Sequence, residues 1–104
     1  MNNLLSDLPG DLEAEVFESI LESQHVRIER IVSQGQTSPE QGWYDQDEHE
    51  WVVVLEGEGT VLFEQGPEFR LQKGDHLTIP AGSRHRVSWT DPARVTVWLA
   101  VFYR

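Results

Sequence analysis

Two short stretches of this chain hold side chains that could do chemistry. The first is Tyr44-Asp45-Gln46-Asp47-Glu48-His49-Glu50, a polar run that feeds directly into the apolar Trp51-Val52-Val53-Val54-Leu55. β-Branched valines favour extended backbone, and a continuous apolar run fits a strand buried on both faces. Polar groups at the entry to such a strand come to lie at the rim or floor of whatever the sheet encloses, where a ligand site would form. The second stretch is Gly74 to His85, G-D-H-L-T-I-P-A-G-S-R-H. There a turn leads into a short strand, Pro80-Ala81-Gly82 breaks it, and a new strand begins at His85.

The spacing of these two stretches resembles the cupin superfamily. Gly74, Pro80, Gly82 and His85 meet the family's second motif position for position, with Trp89 where an asparagine often stands. Glu50 and Gly57 meet the end of its first motif. The pair of histidines that opens that motif is absent: its positions hold Tyr44 and Gln46, or, with the longer spacing, Trp43 and Asp45. The resemblance covers roughly residues 24 to 104 and implies an all-β, antiparallel jelly-roll barrel. It also implies a divalent metal, Fe²⁺, Mn²⁺, Ni²⁺ or Zn²⁺, held by His85 and Glu50 with Gln46 and Tyr44. One imidazole, one carboxylate and one amide hold such an ion more weakly than two imidazoles and a carboxylate. A metal-dependent enzyme, a metal-free small-molecule binder and a dimerising structural unit are all compatible with these residues.

Side-chain alternation along strands sorts the candidates. With Glu50 turned inward, Val52 and Val54 share its face, and Tyr44 and Gln46 do so if their segment is extended. On the later strand His85, Val87 and Trp89 share a face. Val52, Val54, Val87 and Trp89 therefore make an apolar ring around a few polar groups, the usual composition of a small-molecule site. His49 neighbours Glu50 and points outward, while His25 and His76 have no visible partner in sequence and read as structural. A paired-carboxylate glycosidase needs a second inward acid, and none is identifiable beside Glu50. No phosphate-binding glycine loop, nucleophile elbow or H-E-x-x-H zinc motif occurs.

The elements that must position these groups follow from punctuation and period. Residues 11 to 22 place Leu12, Val16, Ile20 and Phe17, Leu21 at helical spacing, so one short N-terminal helix is expected there, with Asp11 as its cap. His25 to Val32 alternates as a half-buried strand. Short strands separated by Gly/Pro turns then run to Tyr103, without crossover helices. The organisation is thus one domain of 104 residues, a helical segment over 1–23 and a barrel over 24–104.

Composition bounds the rest. There is no cysteine, which excludes disulfides and thiolate chemistry. A net charge of −10 disfavours nucleic acid and anionic membranes. The N-terminus lacks a basic lead and an apolar run, and no stretch reaches membrane-spanning length, so a cytoplasmic protein is expected. Apolar residues on both faces of the last strand predict a homodimer.

Overall fold

The computed structural model describes residues 2–10 and 12–104. Eight antiparallel strands form it: β1 Val16–Glu22, β2 Val26–Ser33, β3 His49–Glu56, β4 Glu58–Phe63, β5 Glu68–Gln72, β6 His76–Ile79, β7 His85–Thr90 and β8 Thr96–Tyr103. A five-stranded sheet runs β1-β2-β8-β3-β6 and a three-stranded sheet runs β5-β4-β7. Their facing sides enclose a core of Val52, Val54, Val61, Leu71, Ile79, Trp98, Ala100 and Phe102.

The expected N-terminal helix is not formed. Val16–Glu22 is instead the edge strand of the larger sheet, paired with β2 from Val16↔Val32 to Glu22↔Arg27. Asp11, the expected cap, lies outside the described residues. A lone helix of about 12 residues is marginal in water, whereas β2 offers a full edge of unpaired backbone groups. Val16, Phe17 and Ile20 suit a pleated backbone as well as a helical stripe. Cross-strand contacts fix the register: Glu18 takes a hydrogen bond from Arg30 at 2.6 Å, and Glu15 one from Ser33 at 2.6 Å. A bulge between Ser19 and Leu21 absorbs the mismatch between helical spacing and strand alternation.

The two sheets also stop short of a closed barrel. Between β2 and β3 the chain meets β7 only at two isolated bridges, Ser38↔Val87 and Tyr44↔His85. Ser38-Pro39 and Gly35 keep that segment out of a continuous ladder. The architecture is therefore a β-sandwich with one side open, and the opening lies beside Tyr44 and His85.

At one end of the sandwich, Gly57 turns β3 into β4 with φ +84°, and a Cβ there would stand 2.6 Å from the backbone of Thr96 and of Val95. Only glycine meets both demands.

Candidate functional site

The central strand points as its alternation requires: Glu50, Val52 and Val54 are buried, while Trp51, Val53 and Leu55 face outward and are half-buried. Tyr44 and His85 are joined by a reciprocal backbone pair, with N–H···O distances of 2.8 and 3.1 Å. Gln46 is held in place by its carbonyl, which accepts from the Gly82 N–H at 2.8 Å. The two polar stretches of the sequence are thus stitched together at the open side of the sandwich.

Four side chains converge there. The Gln46 amide nitrogen donates to Glu50 Oε1 at 2.9 Å, and His85 Nε2 lies 3.5 Å from the same oxygen. His85 Nδ1 lies 2.8 Å from the Ser83 carbonyl, which can only accept, so Nδ1 carries a proton and Nε2 is the exchangeable position. The Tyr44 hydroxyl is hydrogen-bonded to Ser38, and its ring lies 5.6 Å from that of His85.

Burial alone would lower the His85 pKa. The contact with Glu50, the Ser83 carbonyl and the Glu50 charge outweigh it and hold the imidazole above its ordinary value. Burial, aided by the negative charges of Glu15, Glu50 and Glu29, raises the Tyr44 phenol against the opposing Ser38 hydrogen bond.

These groups line a cavity of about 180 Å³ between the sheets. Val52 and Val87 line it as expected. Val54 is fully buried in the core but does not reach the cavity. Trp89 is 40% exposed and lies outside it. A register shift opposite Thr60 and Val61 inserts an extra residue into β7 after Val87 and reverses the alternation there, so Trp89 turns to solvent and Thr90 turns in.

The structure adds lining residues that the sequence did not single out for the site: Glu15 just before β1, Phe17 on β1, Arg27, Glu29 and Ile31 on β2, and Trp98 and Phe102 on β8. Trp98 is 2% exposed, and its indole N–H has no partner among the described residues.

His49 faces outward as its parity predicts, accepting from the Ala81 N–H at 3.0 Å and packing against Tyr103. His76 packs on Trp51 at the outer surface, and His25 is exposed.

Comparison with known proteins fits this architecture. The cupin domain family matches residues 29–102. The chain belongs to the cupin family. Among solved cupin-like structures, that of a Ralstonia eutropha JMP134 protein named "putative mannose-6-phosphate isomerase" is 42% identical, with a TM-score of 0.93 over 99% of this chain and 96% of that one. An RmlC-like cupin of Desulfovibrio desulfuricans is 23% identical, with a TM-score of 0.76 over 98% of this chain and 94% of that one. An RmlC-like cupin of Methanocaldococcus jannaschii is 18% identical, with a TM-score of 0.74 over 93% and 86%. The last two share the fold alone. No curated protein matches the sequence. Among the described residues, no helix is long and apolar enough to cross a membrane.

Cupins commonly carry a divalent metal, and the donors present here do not fit one. Among the described residues no three His, Asp or Glu side chains come together. Among the described residues His85 and Glu50 are the ionisable donors that meet, since Glu15 and Glu29, which also line the cavity, are engaged by Ser33 and Arg27, and Gln46 turns its amide nitrogen, a donor group, toward Glu50. The Tyr44 phenol is held in its protonated form by burial and neighbouring acids. A divalent ion needs more lone pairs than these groups direct to one point.

Proposed function

We propose that this cupin binds a small polar organic molecule in the cavity between its sheets, without a resident metal, and that Glu50 and His85 exchange protons with it. One observation carries the reading: His85 Nε2 and Glu50 Oε1 sit 3.5 Å apart at the wall of the cavity. That separation is long for a direct hydrogen bond, so both atoms retain capacity for a ligand. A carboxylate that accepts a proton beside an imidazole that can donate one is the minimal acid–base pair. Gln46 positions the carboxylate, and the Ser83 carbonyl fixes the imidazole tautomer. The name given to the Ralstonia relative, an isomerase, describes a reaction class that such a pair could serve.

The test is an NMR titration of the wild-type imidazole with benzyl alcohol, benzylammonium and benzoate as probes. The expected result is a shift of the His85 Nε2 resonance with at least one of them. Val87→Phe, which fills the cavity, should remain folded and abolish the shift. The reading fails if no probe moves the wild-type resonance.

We also propose a symmetric homodimer. Its support is the outer face of the five-stranded sheet, where Trp51, Val53, Leu55, Leu99 and Val101 are half-buried and no strand among the described residues covers them. Beside this face, β1 exposes Ile20 and Leu21 at the sheet edge. Contiguous apolar area of this kind marks an interface.

A further inference from the structure

We infer that the ligand of the cavity is a small organic cation, an ammonium, and that phosphorylated and carboxylated molecules are excluded. The inference rests on the reading above that the cavity is a ligand site. It concerns which class of molecule enters.

The charge around the cavity decides the sign. Glu15, Glu29 and Glu50 line it, against Arg27 and His85. Arg27 is not free to receive an anion. Its guanidinium is hydrogen-bonded to Glu29 and, at 2.9 Å, to Glu48, and it stacks 4.0 Å above the Phe102 ring. His85 is turned to Glu50 and Ser83. Glu15 has no cation partner among the described residues; its one hydrogen bond there comes from the Ser33 hydroxyl. A phosphate or carboxylate entering the cavity would thus meet the charge of Glu15, which no cation offsets among the described residues, while Arg27 is already paired with Glu29 and Glu48 and His85 faces Glu50. An ammonium would be attracted to Glu15.

The walls favour the same class. Phe17, Tyr44, Trp98 and Phe102 line the cavity, and aromatic faces attract cations through their quadrupoles. Phe102 already holds one cation in this way, the Arg27 guanidinium. The convergence of the acids on this space is also visible in Tyr44, whose phenol, after burial, is raised by Glu15, Glu50 and Glu29 together.

The test compares three probes of nearly equal shape at low salt and slightly alkaline pH: benzylammonium, benzyl alcohol and benzoate, with mannose 6-phosphate as a fourth. Dissociation constants are read from the cavity resonances. Benzylammonium is expected to bind about tenfold more tightly than benzyl alcohol, since a single charge pair in a partly buried site exceeds that difference. Benzoate and mannose 6-phosphate should bind more weakly than the alcohol. Added salt and Glu15→Gln should each weaken benzylammonium and leave benzyl alcohol unchanged. A flat or reversed ranking, or tight binding of mannose 6-phosphate, overturns this inference and leaves the ligand-site reading standing. Absence of binding by all four overturns both.

Discussion

His85 Nε2 stands 3.5 Å from Glu50 Oε1, the oxygen that also accepts from Gln46 at 2.9 Å. Because the net effect of these surroundings is to raise the His85 pKa in the folded state, the pair contributes stability when the imidazole is protonated. That contribution is fully present below the unfolded value, about 6.5, and is lost as pH rises through the higher folded value.

Melting temperatures of the wild type and His85→Gln, measured from about pH 5 to about pH 9, should therefore differ most at the acid end and converge at the alkaline end. A metal site would behave oppositely, since its imidazole must be neutral to ligate. A wild-type advantage that grows with pH would contradict the acid–base pair.

Added Mn²⁺, Ni²⁺ or Zn²⁺ should leave the melting temperature unchanged. A folded-state metal site at a hundredfold excess over its dissociation constant would add about 2.7 kcal/mol, a shift on the order of 10 °C in a domain of this size. Differential scanning fluorimetry resolves that easily, and a metal-specific rise that His85→Ala removes would restore the metal reading.

Much of this site was legible in the sequence, and the gaps have identifiable physical causes. Glu50 and His85 could be placed inward because strand alternation and turn glycines act locally. Trp89 could not be placed correctly, because a one-residue bulge in β7 leaves no mark on the apolar pattern. Phe17 and Glu15 were hidden by a spacing that fits a helix as well as a bulged strand. Arg27 and Glu29 were the hardest to assign. On β2 Val26, Ile28, Arg30 and Val32 lie on the face away from the cavity, while Arg27 and Glu29, with Ile31, line it. The usual rule that the apolar face is the inner one fails where the outer face is itself apolar.

That outer face gives an assembly prediction. Val53 and Leu99 are cross-strand partners on β3 and β8. Val53→Glu with Leu99→Glu places like charges opposite each other on the proposed interface. Sedimentation should show a dimer for the wild type at tens of micromolar, about the range for a modest interface, and a folded monomer for the double variant. A monomeric wild type would remove the dimer proposal.

Gly59 tests how the cavity wall is built. A Cβ at this position would stand 2.4 and 2.7 Å from the Trp98 ring and 3.2 Å from the Trp89 carbonyl. Backbone cannot yield here, since Gly59 is paired with Leu71 on one side and Thr90 on the other. The ring must move instead, and it lines the cavity. Gly59→Ala should therefore cost about 1–3 kcal/mol, the usual range for overpacking, and should also weaken benzyl alcohol binding. Gly10→Ala, with nothing within 4 Å of its new methyl, should do neither. Replacing the indole removes the obstacle, so Gly59→Ala/Trp98→Phe should lose less stability than the two single changes combined. The coupling is read from a double-mutant cycle of denaturant unfolding. Additive losses would mean that the Trp98 ring does not fill the space beside Gly59.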